Sequence, residues 1–127
     1  MACKAAKKKA NEFGIFAEEM AVREYIKRGY VIKERNMHLG SSEIDIIVQK
    51  DNTVVIAEVK ARKSSEEDAL NAVNKEKRRR MVRVADSYLR KYQGKFYYRF
   101  DIVVCIGNKY DYKLEIFEDA FLSTDLL

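Results

Sequence analysis

The chain has 127 residues, with 25 Lys or Arg, 20 Asp or Glu and a single histidine, so its formal net charge is +5 at pH 7. That length fits one domain with a core of its own, and the longest apolar run, Ile102–Ile106, is far shorter than the roughly 20 residues of a membrane-spanning helix. Two cysteines and one histidine exclude a disulfide framework and a Cys/His zinc site, so the composition predicts a cytoplasmic protein without a membrane partner.

The predicted elements occupy a single domain over residues 11–127, preceded by a flexible basic tail over residues 1–10. Hydrophobic periodicity and turn residues predict, in chain order, a helix over 11–29, strands over 30–35, 43–49 and 54–62, a helix over 66–92, and strands over 97–106 and 112–117. This order indicates an α/β fold in which a mixed sheet is flanked by helices.

Three of the apolar elements contain charged residues. The apolar stripe of the first helix consists of Gly14, Ala17, Ala21, Val22, Tyr25 and Ile26, and Glu18 lies within this stripe. The apolar stripe of the second helix consists of Leu70, Val73, Met81, Val84, Ala85, Tyr88 and Tyr92, and Lys77 lies on it between Val73 and Met81. Lys77 has two interpretations: its ammonium extends past the apolar surface to solvent, or it reaches a site and binds a phosphate. On the strand over 97–106, Arg99 and Asp101 are predicted to be structural.

Two neighbouring predicted strands form a hairpin around Asp51-Asn52. Since alternate residues of a strand share a face, Glu43 and Asp45 point away from the side chains of Ile44, Ile46 and Val48. A turn centred on residues 51 and 52 pairs Asp45 with Glu58 and Glu43 with Lys60, and the Cβ atoms of such partners lie about 5 Å apart.

Two carboxylates directly opposite each other destabilise a sheet unless a cation lies between them. Asp45 and Glu58 therefore predict a site for Mg²⁺ or Mn²⁺, which favour carboxylate oxygens. Lys60 would orient or deprotonate a metal-bound water, and Glu18 would add a third carboxylate if its helix packs beside this face. The ordinary interpretation is an exposed alternation of charges, or a salt bridge from Glu43 to Lys60.

Basic residues are concentrated within residues 4–9 and 75–83. Binding to a polyphosphate requires such a local excess, because each neutralised phosphate releases a counterion. The alternative is a solvated helix face that serves solubility. The residues predicted to contact nucleic acid are Lys75, Lys77, Arg78, Arg79, Arg83 and Arg62.

At these residues the sequence resembles the PD-(D/E)XK nuclease superfamily, whose pattern corresponds to Asp45 followed by Glu58-Val59-Lys60. The glutamate on the first helix, Glu18, is similar to one in archaeal Holliday-junction resolvases. The chain is still more similar to the YraN family of small bacterial endonuclease-like proteins, through Gly14-x-x-Ala17-Glu18-x-x-Ala21, Glu43-Ile44-Asp45, Glu58-Val59-Lys60-x-Arg62 and Arg99-Phe100-Asp101.

The resemblance implies a restriction-endonuclease-like αβββαβ core and duplex or branched DNA as the substrate. It implies Asp45, Glu58 and Glu18 as catalytic groups and metal ligands, with Lys60 as the residue that positions the attacking water. A homodimer is expected as well, since cutting both strands calls for two sites. Two other functions stay open: a non-catalytic nucleic-acid-binding or adaptor module on the same scaffold, and a structural protein that binds neither DNA nor metal.

Overall fold

The computed structural model describes residues 12–40, 42–64, 72–90 and 95–121. Its elements are, in chain order, α1 (Glu12–Lys27), β1 (Val31–Leu39), β2 (Ser42–Lys50), β3 (Thr53–Arg62), α2 (Lys75–Leu89), β4 (Tyr97–Asn108) and β5 (Asp111–Phe121). The strands lie in one sheet in the order β1-β2-β3-β4-β5, and all neighbours are antiparallel except β3 and β4. The predicted α/β class and αβββαβ order are therefore confirmed. The predicted tail over residues 1–10 lies outside the described residues.

The two helices pack on opposite faces of the sheet, so its central strands are buried on both sides. The core on the α1 side contains Ile46, Val48, Val55, Ala57 and Val103. The core on the α2 side contains Ile47, Val54, Ile56, Ile102 and Val104. Adjacent residues of β3 and of β4 alternate between the two cores, as a pleated strand requires, which explains the nearly continuous apolar runs in these strands. No helix in the described part of the chain is long and apolar enough to cross a membrane.

Helix α2 begins later than the predicted helix over residues 66–92. It starts at Lys75 because Asn74, in an extended conformation, caps it by accepting a hydrogen bond from the Lys77 amide at 2.9 Å. Residues 72–74 are therefore not helical, which corrects the prediction.

The buried stripes of both helices match the predictions at most positions. On α2 the buried members are Met81, Val84, Ala85 and Tyr88, and Val73 is buried just before the helix begins. Leu70 and Tyr92 lie outside the described residues. On α1 the buried members are Ala17, Ala21, Val22 and Tyr25. Ile26 is 55% exposed, which corrects its assignment to the stripe. It is rotated about 100° around the helix from Tyr25, toward solvent.

Strands β1 and β5 are longer than the predicted strands over 30–35 and 112–117. β1 continues because it stays paired with β2 as far as Leu39 and Ser42. β5 continues because it pairs with β4 again after a bulge, where Phe121 faces Phe100. Polar residues make up half of each extension at its C-terminal end, Asn36 and His38 in β1 and Glu118 and Asp119 in β5, so the sequence pattern does not mark where these strands end.

A buried carboxylate joins α1 to the two strands farthest along the chain. Asp101 on β4 is 0% exposed, and it accepts hydrogen bonds from the Tyr25 hydroxyl at 2.8 Å, from Arg99 at 2.8 and 2.9 Å, and from the Asp119 amide at 3.0 Å. Arg99 also donates to the Tyr30 hydroxyl at 3.0 Å. A buried charge is tolerated when it is paired and hydrogen-bonded. The predicted structural role of Arg99 and Asp101 is therefore confirmed.

The substitution Tyr25→Phe removes one donor from this network. We expect it to lower the free energy of unfolding by about 1–3 kcal/mol, because a buried charged acceptor loses a hydrogen bond that no water replaces. Urea denaturation followed by circular dichroism measures the change. Tyr97→Phe is the matched control, since that side chain is 77% exposed. Equal stabilities of the two variants would contradict the structural role of this contact.

Candidate active site

The hairpin of β2 and β3 has the register expected from a turn centred on residues 51 and 52. Its ladder runs from the Lys50–Thr53 pair to the Ile46–Ala57 pair. Beyond Ala57 the backbone ladder is replaced by a side-chain contact, in which the Val59 amide donates a hydrogen bond to Asp45 Oδ2 at 2.8 Å. Asp45 thus binds the backbone of β3 next to Glu58, whereas the sequence predicted a regular ladder partner.

The alternation of side chains along β2 breaks at Asp45. Ile44 belongs to the core on the α2 side and Ile46 to the core on the α1 side. The predicted common face is therefore wrong for Ile44, whereas Ile46 and Val48 do share the α1 side of the sheet. The physical reason lies on β1, where the residue between the partners of Ile46 and Ile44 is Asn36, with a left-handed φ of +50° that interrupts the pleat. Asp45 consequently lies in the gap between β2 and β3, where its Oδ2 binds the Val59 amide and Glu18 of α1 interacts with it.

Glu58 is the buried acid of this gap. It is 3% exposed, and Lys60 Nζ lies 3.4 Å from its Oε1. Lys77 Nζ lies 3.5 Å from its Oε2. Oε2 accepts no hydrogen bond from any residue that the structure describes. A buried carboxylate oxygen without a hydrogen bond is costly, and the ion pair with Lys77 compensates Oε2 only in part.

A third carboxyl group reaches Asp45 from α1. Burial and the neighbouring Asp45 carboxylate raise the pKa of Glu18 from 4.5 to about 7. Burial and Asp45 also raise the pKa of Glu58 from 4.5 to about 7, although the two nearby lysines oppose the shift. Asp45 is therefore the middle one of three acids, and its two neighbours titrate near neutral pH.

The Lys77 side chain extends from α2 into the site and not past the apolar surface to solvent. Its binding of a phosphate there stays a prediction. Besides approaching Glu58, its ammonium donates a hydrogen bond to the Glu43 carbonyl at 3.2 Å. That carbonyl belongs to the part of β2 that has separated from β3, so Lys77 bridges the gap. The sequence contained no signal for this partner, because the carbonyl becomes available only where the ladder ends.

The donors best placed to hold a divalent cation are Asp45 and Glu58. Glu58 Oε2 fits because it is buried without a hydrogen bond, and a hard cation prefers oxygen. Within the described ranges, no three His, Cys, Asp or Glu side chains form a group that could hold a metal ion. Glu18 as a third ligand therefore stays a prediction. Two carboxylates suit Mg²⁺, which commonly keeps several waters and binds substrate phosphates at its other positions.

Apart from Lys77, which enters the gap, the residues predicted to contact nucleic acid form two groups outside it. Arg78 is half-buried, with its Nε donating to the Val73 carbonyl at 2.9 Å and its guanidinium 5.3 Å from the Phe121 ring. Arg62 is half-buried too and donates to the Ala61 carbonyl at 2.7 Å. The exposed group follows one side of α2 at four-residue intervals and consists of Lys75, Arg79 and Arg83.

The amino-acid sequence matches the family model described as "Uncharacterised protein family UPF0102" over residues 17–105. This chain belongs to the UPF0102 family. It is the YraN family of the sequence-based prediction, which is thereby confirmed. The chain is 39% identical over 112 residues to a UPF0102 protein of Phocaeicola vulgatus, covering 87% of this chain and 93% of the relative. It is 37% identical over 115 residues to one of Caldicellulosiruptor bescii, covering 87% and 97%.

The match to UPF0102 covers every residue of the gap. Glu18 lies near the start of the matched range, and Asp45, Glu58, Lys60 and Lys77 lie inside it. Membership in this family therefore applies to the part of the chain that forms the candidate site.

The substitution Glu58→Gln tests the charge balance of the gap. Because folding raises the pKa of Glu58 from 4.5 to about 7, the native state binds more protons than the unfolded state in this window, and stability falls as the pH rises through it. We expect Glu58→Gln to be more stable than the wild type at pH 8, by at most about 3 kcal/mol, and nearly equal to it at pH 5. Urea denaturation at both pH values measures this.

Glu115→Gln is the control for this measurement, since Glu115 lies on β5 away from the gap. It should follow the pH dependence of the wild type. If Glu58→Gln also follows the wild type, Glu58 does not titrate as described.

Proposed function

We propose that this UPF0102 protein is a Mg²⁺- or Mn²⁺-dependent endonuclease that hydrolyses phosphodiester bonds of duplex or branched DNA. The observation that carries the proposal is the position of the Asp45 carboxylate, bound to the Val59 amide beside Glu58, whose buried Oε2 accepts no hydrogen bond from the described residues. The resemblance of Asp45 and Glu58-Val59-Lys60 to the nuclease pattern supports the same function.

Each residue of the gap has a role in this proposal. Asp45 and Glu58 would hold the cation, which when bound would neutralise phosphate charge and lower the pKa of a water. Lys60, whose ammonium lies 3.4 Å from Glu58 Oε1, would donate a hydrogen bond to the attacking water and orient its oxygen toward the phosphorus. Glu18, with a pKa of about 7, is suited to accept a proton from that water at neutral pH.

The exposed basic side of α2 would bind the flanking DNA phosphates. Lys75, Arg79 and Arg83 lie on the same helix that brings Lys77 to Glu58, so phosphate contacts there would place the backbone near the gap. A second copy of the chain would supply a second site where both strands are cut.

Cleavage assays test the proposal directly. Wild-type protein should cleave duplex, flap or four-way-junction DNA only with Mg²⁺ or Mn²⁺. Asp45→Asn, Glu58→Gln and Lys60→Ala should each reduce the rate at least about 100-fold, because each removes a metal ligand or the water-positioning group. The controls are Lys113→Ala and Glu115→Gln, which alter a similarly spaced Lys/Glu pair on β5. Absence of cleavage by the wild type, or equal rates in the variants, would contradict the proposal.

A non-catalytic DNA-binding module is the second candidate, and one observation favours it. Both oxygens of Glu58 already lie within 3.5 Å of a lysine ammonium, so its charge is partly compensated without a metal. Calorimetric titration separates the two functions. The endonuclease predicts Mg²⁺ or Mn²⁺ binding that Asp45→Asn abolishes, whereas the binding module predicts salt-sensitive DNA binding and no metal binding that depends on Asp45.

A further inference from the structure

A groove lined by aromatic and basic side chains opens near the gap. Its volume is about 510 Å³, within the range of ligand-binding pockets. Its main lining residues are Phe13, Ile15, Phe16, Lys63, Lys109 and Tyr110. Ile15 is 45% exposed and Tyr110 is 87% exposed, so a large part of this apolar surface faces solvent in the described chain. None of these side chains has a role in the proposed cleavage reaction.

The turn between β4 and β5 holds Tyr110 in this exposed position. Asn108 Oδ1 accepts hydrogen bonds from the amides of Tyr110 and Asp111 at 2.9 and 3.0 Å, which fixes the turn. Gly107 has φ +120°, and a Cβ there would lie 2.3 Å from the Asp111 carbonyl oxygen, so only glycine permits this tight turn. A fixed backbone that exposes an aromatic ring is suited to stacking, because little conformational entropy is lost on binding.

The topology places the groove at the same end of the sheet as the gap. β3 leads from Glu58 to Lys63, and β4 runs parallel to it, so the β4–β5 turn lies at that end. Phe13 precedes Glu18 by five residues, about 7.5 Å along the helix axis of α1. The groove therefore begins about one helical turn and a half from an acid of the gap.

The groove contains both aromatic rings and ammonium groups. Phe13 and Phe16 stack with their centroids 6.1 Å apart. Lys109 Nζ lies 5.2 Å from the centre of the Tyr110 ring. Glu12 is the one acid among the described lining residues. An apolar surface for a flat ring beside two cations matches an unpaired nucleotide, whose base stacks on aromatic rings while its phosphate binds lysine.

We propose that this groove binds an unpaired nucleotide of single-stranded DNA next to the gap between β2 and β3. The base would stack on Tyr110 and the phenylalanine rings, and Lys63 and Lys109 would bind the adjacent phosphates. The proposal rests on the proposed nuclease function in that it specifies its substrate: DNA with a single-stranded segment beside the scissile phosphate.

Binding is measured by fluorescence anisotropy with the full chain in EDTA, so that cleavage plays no part. The probes are a labelled oligothymidine of about eight nucleotides and an abasic strand with the same number of phosphates. We expect the wild type to bind oligothymidine about tenfold more tightly than the abasic strand, and Tyr110→Ala to lose this preference. Tyr110→Phe should keep it, because the ring remains.

Two further variants complete the measurement. Lys63→Ala should weaken binding to both strands and reduce the slope of log affinity against log salt by about 0.7. Tyr97→Ala is the matched control, since its ring is 77% exposed at the opposite end of β4, and it should bind like the wild type. Equal binding by Tyr110→Ala and Tyr97→Ala, or equal affinity for the two strands, would overturn the proposal.

Self-association is the other outcome that the test can detect. If sedimentation shows that the wild type is a dimer and Tyr110→Ala a monomer, while DNA binding is unchanged, the groove is an interface between two copies and the proposal fails. The nuclease function is judged separately: a protein that binds oligothymidine through Tyr110 but cleaves no DNA with Mg²⁺ would overturn only that function.

Discussion

The separation of β2 from β3 after the Ile46–Ala57 pair determines the rest of the site. Each strand keeps its other neighbour, since β2 remains paired with β1 to Ser42 and β3 remains paired with β4 to Arg62. The backbone groups that lose their ladder partners still require hydrogen bonds. Asp45 accepts one from the Val59 amide, and Lys77 donates one to the Glu43 carbonyl. Polar side chains therefore lie inside an apolar sheet because the gap requires them.

Two buried acids on neighbouring strands show how different such sites can be. Asp101 is 0% exposed, and its carboxylate accepts hydrogen bonds from Tyr25, Arg99 and Asp119. Glu58 is 3% exposed, yet its Oε2 accepts none from the described residues. Burying a charge without hydrogen bonds costs stability. The hydrogen bonds of Asp101 offset this cost, whereas the buried Oε2 of Glu58 has none from the described part of the chain to offset it. A group that destabilises the fold while facing another acid is typical of a ligand-binding position.

The parts of the site that follow local rules were predictable from the sequence. The turn at Asp51-Asn52 fixes the register of β2 and β3, because pairing on both sides of a symmetric turn leaves one arrangement. Asp51 has the left-handed φ of +53° that this residue type tolerates in turns. The start of α2 carried a usable signal as well, since asparagine is a preferred N-cap and Asn74 directly precedes the helix.

Other features depend on contacts between distant segments and left no periodic signal. The break at Asp45 follows from Asn36 on β1, and a strand asparagine does not reveal in advance that it will adopt a left-handed conformation. The partner of Lys77 is a backbone carbonyl that sequence patterns do not describe. The aromatic groove combines the start of α1, the residue after β3 and the β4–β5 turn, which only the parallel pairing of β3 and β4 brings together.

This topology also constrains the shape of a DNA substrate. α1 and α2 cover opposite faces of the sheet, so the groove beside α1 and the basic side of α2 lie on different sides of the gap. The gap is contacted from both faces, since Glu18 of α1 interacts with Asp45 and Lys77 of α2 lies 3.5 Å from Glu58. Under the proposed functions, a duplex held by α2 and an unpaired nucleotide held beside α1 would meet at Asp45 and Glu58. A junction between double-stranded and single-stranded DNA has this shape, whereas a continuous duplex would leave the groove beside α1 without a ligand.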